Sequence, residues 1–320
     1  MNSKIGKNID LAAEILIKGG LVAIPTETVY GLAANALNEN AILKIFKAKK
    51  RPLFDPLIIH VPEFNQLEKY CSEIPEKAIL LANHFSPGPL TILLPKKEII
   101  PDLITSGLQK VAVRIPNHFD TLKLLKQLDF PLAAPSANPF GYISPTKAEH
   151  VYKQLKDEID YILDGGECSV GIESTIVEFE ENKIIVHRLG GLSIEEIKHF
   201  GEVDLRLNQS SNPSAPGKLQ THYAPRKPLI LGNIQELLHV YKSKKIAVLS
   251  FQNKYTETNL ILSKHGDFSE AARNLFSYLR ELDESDAEII ISEYLPNTFL
   301  GMAINDRLKR AALNPTNLEL

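Results

Sequence analysis

The chain has 320 residues, of which 44% are hydrophobic and 23% are charged, a composition typical of a globular protein with room for two domains. Its 36 basic and 39 acidic residues give a formal net charge of −3, which argues against binding of nucleic acid by bulk electrostatics. Two cysteines cannot form a disulfide framework, and no run of eighteen apolar residues occurs, so we expect a cytoplasmic protein without a membrane span.

Predicted strands and helices alternate between residue 9 and about residue 200. Asn38 is an N-cap candidate, Ser144 before a proline is a second one, and Ser193 with Glu196 has the spacing of a capping box. The predicted helices cover residues 9–18, 38–48, 144–155 and 193–200. The predicted strands cover residues 21–24, 57–61, 90–94, 111–115, 131–134, 175–179 and 184–187.

The composition changes after residue 205. Residues 208–217 are rich in Ser, Asn and Pro and contain little that could pack, which is typical of a linker. Beyond it, short apolar strands at 228–231, 246–251 and 288–292 and a helix at 269–282 predict a small, open, Rossmann-like α/β unit. We therefore predict a domain at 1–205, a linker at 206–226 and a second domain at 227–320.

Polar residues gather where predicted strands end. The strand at 21–24 runs into Pro-Thr-Glu-Thr-Val-Tyr-Gly-Leu at 25–32, and the same design recurs at Lys-Lys-Arg-Pro (49–52), Pro-Ser-Ala-Asn (135–138) and Gly-Ile-Glu-Ser-Thr (171–175). Bunched hydroxyl, amide and charged side chains do not help a hydrophobic core. We therefore expect one site that is assembled from several loops.

Each candidate residue also has a purely structural interpretation. Lys49 and Arg51 suit a helix C-terminus, Arg114 or Arg188 could form an ordinary ion pair, and His60 could be a packed histidine. Ser136 and Asn138 could stabilise a turn. No P-loop, Gly-x-Gly-x-x-Gly, zinc motif or Gly-x-Ser-x-Gly occurs, so the remaining set favours anion binding over proton abstraction.

Taken in order, the motifs resemble those of the YrdC/Sua5 family of threonylcarbamoyl-AMP synthases. The segments that carry the resemblance are 25–32, Lys49-x-Arg51-Pro52, Pro56-Leu57-x-x-His60, 86–91, Val113-Arg114-x-Pro116, 134–138 and 173–175. The long, Sua5-type form is indicated by the linker, by His-Tyr-Ala-Pro at 222–225 and by Asn-Asp-Arg-Leu at 305–308. The resemblance implies an α/β fold with a YrdC-like twisted mixed sheet and helices around a basic cavity, followed by the Rossmann-like domain.

The resemblance also implies a nucleotidyltransferase reaction. L-Threonine, bicarbonate and ATP would give threonylcarbamoyl-AMP and pyrophosphate, for the t6A modification at position 37 of tRNA. The product would pass to a tRNA threonylcarbamoyltransferase, and direct tRNA binding is left open. Mg²⁺ is expected to enter with ATP, without a metal site of the protein's own.

Site residues carry over position by position from the resemblance. The threonine pocket would contain Thr26, Thr28, His60, Arg114, Ala134 and Ser174, with Arg114 on the carboxylate. The ATP site would contain Arg51, Asp55, Lys110 (through its backbone), Ser136, Ser144, Arg188 and Tyr223. The catalytic quartet would be Lys49 and Arg51, for phosphate and bicarbonate charge, and Ser136 and Asn138, for orienting the α-phosphate.

Two positions depart from the family pattern. Asp55 stands where relatives commonly have asparagine, and a carboxylate there would repel phosphate unless it faces another group. Lys218 follows Pro-Gly where the family more often has methionine. The linker itself is expected either to fold over the site as a lid or to act as a passive tether.

Three other functions are compatible with parts of this pattern. The first is an RNA-binding module that uses the same basic groove, although few aromatic residues and no tryptophan are present. The second is the carbamoyl-transfer module of hydrogenase maturation, whose paired-cysteine zinc segments are missing here. The third is a non-catalytic sensor of threonine or ATP.

Overall fold

The computed structural model describes residues 4–181, 183–207 and 222–312. The strands in these ranges are β1 (Ile5–Gly6), β2 (Val22–Ile24), β3 (Gly31–Asn35), β4 (Ile58–His60), β5 (Leu90–Pro95), β6 (Lys110–Arg114), β7 (Leu132–Ala133), β8 (Tyr161–Leu163), β9 (Thr175–Glu180), β10 (Lys183–Arg188), β11 (Glu202–Leu205), β12 (Leu229–Leu231), β13 (Ile246–Ser250), β14 (Asn259–Ile261) and β15 (Ile289–Ser292). The α-helices are α1 (Ile9–Ile17), α2 (Glu39–Lys49), α3 (Leu67–Tyr70), α4 (Glu76–Phe85), α5 (Asp102–Thr105), α6 (Phe119–Lys126), α7 (Ala148–Leu155), α8 (Ile194–Lys198), α9 (Ile234–Val240), α10 (Phe268–Glu284) and α11 (Gly301–Ala312).

Two sheets organise the chain. The larger is mixed, with the strand order β1-β8-β2-β3-β7-β4-β6-β5-β9-β10-β11. The smaller is entirely parallel, in the order β12-β15-β13-β14, as expected of an open α/β unit. The predicted fold class is therefore confirmed, and each predicted strand overlaps an observed one.

Successive side chains of a strand point to opposite faces of the sheet, so one strand can supply both core residues and site residues. In β6, Val111 and Val113 point into the main core, whereas Ala112 and Arg114 lie on the opposite face. His60 at the end of β4 pairs in register with Arg114 at the end of the parallel strand β6. The two polar side chains therefore lie at the same edge of the sheet.

Local signals explain some helix starts but not all. The Asn38 side chain accepts a hydrogen bond from the backbone N–H of Ala41, and Ser193 with Glu196 forms the predicted capping box. The start predicted at Ser144 is wrong, because α7 begins at Ala148. The Ser144 hydroxyl instead donates to Glu173, a partner 29 residues away that local pattern cannot reveal.

The two sheets share one hydrophobic core. A single cluster of buried side chains includes Ile143 and Ile172 of the first domain and Phe276 and Ile304 of the second. Gly171 lies against the backbone of α10, where a Cβ atom would come within 2.4 Å of the Cα atom of Arg273.

The proposed domain boundaries stay a prediction, and the linker at 208–217, its lid role and Lys218 lie outside the described residues. In the described ranges no helix has both the length and the apolar character needed to cross a membrane.

Candidate active site

The strand ends of the large sheet surround a cavity that opens to solvent. Nine of the residues predicted for the site line it: Thr26, Arg51, His60, Arg114, Ala134, Ser136, Ser174, Arg188 and Tyr223. Glu173 and His222 also line the cavity, and neither was among the predicted site residues. The loops that the sequence marked as polar strand ends therefore do meet in one place.

Arg51 is held in the cavity wall by the loop that follows it. The chain leaves α2 through Lys50, which has the left-handed conformation, and Arg51 then donates from Nε to the carbonyl of Asp55 and from Nη2 to that of Pro56 (3.1 and 2.8 Å). Oδ2 of Asp55 lies 2.9 Å from Arg51 Nη2, and this carboxylate is completely buried. Burial lowers the pKa of Arg51 and Asp55 opposes the shift, so Asp55 serves here as a counter-ion for Arg51.

Lys49 and Asn138 lie behind the cavity wall. Lys49 Nζ donates to the carbonyl oxygens of Ser136 and Asn138, at 2.5 Å each. The Asn138 amide donates to the carbonyls of Pro139 and Tyr142, at 2.8 Å each. Burial, followed by the charge of Arg51, holds the pKa of Lys49 well below its usual range. These two side chains fix the loop that presents Ser136 to the cavity.

Arg114 and His60 form the wall at the ends of β4 and β6. Arg114 Nη2 lies 2.8 Å from Glu27 Oε1, and its Nε donates to the carbonyl of Gly88 at 3.3 Å. Burial, with the charge of Arg114 as the second cause, lowers the pKa of His60 to about 3. His60 is therefore neutral near pH 7, and its Nδ1 has no hydrogen-bond partner among the described residues.

Hydroxyl groups complete this side of the site. Thr26 Oγ1 accepts from the backbone N–H groups of Thr28 and Val29, and it lies 2.9 Å from Thr28 Oγ1. Thr28 is fully buried beneath the turn and does not line the cavity. Ser174 Oγ lies 2.7 Å from the buried hydroxyl of Thr91. The threonines of segment 25–32 thus shape a turn as well as the cavity.

Arg188 forms the third cationic wall, at the end of β10. Its Nε and Nη2 both donate to the Ser174 carbonyl (3.0 and 2.8 Å), and Nη2 also lies 3.0 Å from Ser174 Oγ. Burial lowers the pKa of Arg188 to about 10, so the side chain stays charged at neutral pH. Arg188 therefore orients Ser174 and also adds positive charge to the cavity.

Tyr223 brings the second domain to the cavity. Its ring stacks on Phe276 of α10, with 5.4 Å between the ring centroids, and the guanidinium carbons of Arg307 and Arg310 lie 5.3 and 4.9 Å from the ring centre. Burial, followed by the charge of Arg310, holds the pKa of the neighbouring His222 well below its usual range. Side chains of α10 and α11 therefore hold Tyr223 at the cavity, and these contacts are not predicted by sequence spacing.

Three predicted ATP residues do not line the cavity: Asp55, which is the buried counter-ion of Arg51, Lys110 and Ser144. Lys110 begins β6 whereas Arg114 ends it, and the Lys110 ammonium contacts Glu178. Ser144 is buried behind the wall, where its hydroxyl donates to Glu173 Oε1 at 2.6 Å. Neither Ser144 nor Lys110, which was predicted to act through its backbone, is part of the lining of this cavity.

The site is rich in fixed cations and poor in acidic clusters. Within the part of the chain that the structure describes, no three His, Cys, Asp or Glu side chains are arranged to hold a metal ion. The arginines at positions 51, 114 and 188 are all buried and all line the cavity. Such a site can bind anionic groups and orient them against one another.

The fold and sequence match a known family over almost the whole chain. A family model described as "Telomere recombination" (Sua5/YciO/YrdC) matches residues 14–190, and one described as "Threonylcarbamoyl-AMP synthase, C-terminal domain" matches residues 192–313. This chain belongs to the Sua5/YciO/YrdC family. The two matches together correspond to the long, two-domain form, so the resemblance found in the motifs is confirmed.

Individual relatives of the Sua5/YciO/YrdC family extend this match. The Threonylcarbamoyl-AMP synthase of Pyrococcus abyssi is 43% identical over 95% of this chain and 94% of the relative, and that of Bacillus subtilis is 40% identical over 94% and 92%. The crystal structure of P. abyssi Sua5 complexed with L-threonine superposes with a TM-score of 0.90 at 42% identity, covering 95% of this chain and 94% of that one. E. coli YciO shares the fold over part of this chain. It superposes with a TM-score of 0.50 at 22% identity, and the match covers 58% of this chain and 93% of YciO.

Proposed function

We propose that this chain is a threonylcarbamoyl-AMP synthase, a nucleotidyltransferase that uses L-threonine, bicarbonate and ATP. The threonine amine attacks bicarbonate, a C–N bond forms and water leaves, which gives a carbamate. A carbamate oxygen then attacks the α-phosphorus of ATP. The bond to the β-phosphate breaks, and threonylcarbamoyl-AMP and pyrophosphate are the products.

The observation that carries this proposal is the meeting of three buried arginines in one cavity whose two histidines, His60 and His222, are neutral near pH 7 because burial lowers their pKa. Bicarbonate and ATP are anions and threonine carries a carboxylate, and the reaction brings a carbamate against a triphosphate, so fixed positive charge must offset their repulsion. Arg51, Arg114 and Arg188 meet that demand without a cluster of candidate bases. The binding of L-threonine by the similar P. abyssi protein supports the same interpretation.

The threonine side of the cavity is assigned to the ends of β4 and β6. Arg114 offers a guanidinium fork for the amino-acid carboxylate, and Glu27 holds that fork in place. Neutral His60 can hydrogen-bond the substrate without adding charge next to Arg114. Thr26, Ala134 and Ser174 form the rest of this wall.

The nucleotide side is assigned to Arg51, Ser136, Arg188 and Tyr223. Arg51 and Arg188 neutralise phosphate charge, and Ser136 orients the α-phosphate. Lys49 and Asn138 act through the loop that carries Ser136, because the Lys49 ammonium and the Asn138 amide nitrogen donate to its carbonyl groups. ATP enters as its magnesium complex, and phosphate and water oxygens supply most of the metal ligands, as is usual for Mg²⁺.

The product is a reactive mixed anhydride, so an acceptor must consume it before water does. We assign this step to a tRNA threonylcarbamoyltransferase that forms t6A at position 37. The synthase would then supply an activated group and need no base-reading surface of its own. A mildly acidic chain fits that division of labour.

Pyrophosphate release with each substrate omitted in turn tests the proposed function. Release should require ATP, threonine and bicarbonate together, and threonylcarbamoyl-AMP should appear in a one-to-one ratio with pyrophosphate. Ligand binding without release would indicate a sensor instead. Salt-dependent RNA binding without any release would favour the RNA-binding module.

A further inference from the structure

Arg307 on α11 contacts two residues of the active-site cavity although it does not line the cavity itself. Its side chain is completely buried. It belongs to the second domain, and its contacts are Glu173, which precedes β9 of the first domain, and Tyr223, at the junction of the two domains. Nothing in the proposed reaction so far uses this side chain.

The contact with Glu173 joins α11 to a pair of cavity loops. Arg307 Nε lies 3.2 Å from Glu173 Oε2, and the other carboxylate oxygen accepts from Ser144 Oγ at 2.6 Å. Burial alone would raise the pKa of Glu173, but the charges of Arg307 and Arg188 outweigh it and hold that pKa below its usual range. Glu173 therefore stays ionised and fixes Ser144 on one side and the start of β9 on the other.

The contact with Tyr223 joins the same arginine to a second residue of the cavity lining. The guanidinium carbon lies 5.3 Å from the centre of the Tyr223 ring, within cation–π distance. Arg307 Nη1 is held 3.1 Å from Asp306 Oδ2, and Nη2 has no hydrogen-bond partner among the described residues. One planar group thus fixes a carboxylate and an aromatic ring at the same time, which an ammonium group would not do equally well.

The second domain supports these loops from another helix too. Arg280 of α10 is buried and donates to the carbonyl oxygens of Ile143 and Ser144. Ser144 is therefore held by its backbone from α10 and, through Glu173, by its side chain from α11. Both contacts cross between the domains and meet at Ser144, which lies behind the cavity wall.

We propose that Arg307 is a positioning residue through which the second domain completes the nucleotide side of the active site. It acts by holding Glu173 and Tyr223 and does not touch the reacting atoms. This inference rests on the proposed function, because the nucleotide side is defined by it. The threonine side should depend on Arg307 much less, since Arg114 and Ser174 are held by Glu27 and Arg188.

Direct binding measurements separate this role from a general structural one. In Arg307→Met, we expect the Kd for ATP to rise at least about tenfold, and the Kd for L-threonine to change less than about threefold, by calorimetry without bicarbonate. The control is Lys153→Ala, which removes the exposed ion pair between Lys153 and Glu284 of the two domains and should change neither Kd.

A conservative variant covers the case in which Arg307→Met does not fold. Arg307→Lys keeps the charge but loses the planar group, and it should raise the Kd for ATP by about threefold or more while the melting temperature stays close to that of the wild type. An unchanged Kd for ATP in a folded Arg307 variant overturns the inference, as does an equal loss of affinity for both ligands. Failure of the wild-type chain to bind ATP would contradict the proposed function itself.

Discussion

Arg51 and Arg114 line one cavity, but their surroundings predict different kinetic effects when each is replaced. Arg51→Ala should lower kcat at least about a hundredfold, because charge on the triphosphate then develops without its fixed cation. Arg114→Ala should chiefly raise the KM for threonine, by about tenfold to a hundredfold, as loss of a charge-assisted bond implies. Pyrophosphate release at varied threonine concentration measures both parameters, and equal changes in the two variants would contradict the division of the site.

The Arg51 prediction needs a stability control, because Asp55 is completely buried and its counter-ion is Arg51. Removing one partner of such a pair costs about 3–5 kcal/mol of folding free energy. The double variant Arg51→Ala/Asp55→Asn should regain most of that stability without regaining turnover. Arg206→Ala, which removes an exposed arginine paired with Glu180, is the matched control and should leave both quantities unchanged.

At the scale of single residues, the sequence predicts which residues belong to the site better than it predicts which way their side chains point. The polar strand ends pointed to Arg51, Arg114 and Ser136, and these side chains do line one cavity. Lys49 stands in the same motif as Arg51, yet its ammonium is engaged by carbonyl groups 87 and 89 residues away. Such long-range partners decide which way a side chain faces, and no local pattern contains them.

Among the connecting elements, the segment that contains Gly171 gives a sharp test of the domain interface. Gly171 has φ of +82° and a Cβ there would clash with the backbone of α10, whereas Gly107 has φ of +81° and open space around it. Gly171→Ala should therefore cost more than about 2 kcal/mol beyond the backbone strain that both substitutions share. Urea unfolding of Gly171→Ala and Gly107→Ala measures the difference, and similar losses would show that this contact is not tight.

Helices and strands were predictable where a local signal dominates. Asn38 and the Ser193–Glu196 capping box act within four residues, and the structure has both. Ser144 carries an equally good local signal, but Glu173 captures its hydroxyl and the helix begins later. β3 was not predicted, because its Gly-Leu-Ala-Ala sequence has little strand preference and pairing with β2 and β7 decides its conformation.

The whole molecule should lose stability in mild acid. The pKa of His60 and that of His150 are each lowered to about 3, chiefly by burial, and the pKa of His222 is lowered as well. The unfolded chain takes up these protons below about pH 6.5, whereas the folded chain does not, so the free energy of unfolding falls as the pH falls. His60 alone should contribute a loss of about 2 kcal/mol between pH 7 and pH 5.

Urea unfolding at pH 7 and pH 5 checks this prediction. Most carboxylates stay ionised in that interval, so the histidines dominate the change. His60→Gln removes one titrating group, and its pH dependence should be smaller by about 2 kcal/mol. The same pH dependence in the wild type and in this variant would show that His60 is not buried as a neutral group.

At the scale of the molecule, length allowed two domains and net charge argued against binding of nucleic acid by bulk electrostatics. Neither could show that a chain with a net charge of −3 places arginines 51, 114, 188, 307 and 310 together in its interior. The partner of Glu173 is 134 residues away, on a helix that spacing did not predict. Only tertiary packing brings these arginines and Glu173 together.

The joined core restricts how this protein can change over evolutionary time. Helix α10 packs on its own sheet and also against Gly171 of the first domain. A mutation on α10 can therefore disturb packing in both domains. Recombination that exchanged the second domain for another parallel α/β unit would remove the α10 backbone that lies against Gly171 and the Arg280 side chain that donates to the carbonyl oxygens of Ile143 and Ser144. In proteins of this two-domain form, compensating changes should therefore appear in pairs across the boundary between the halves.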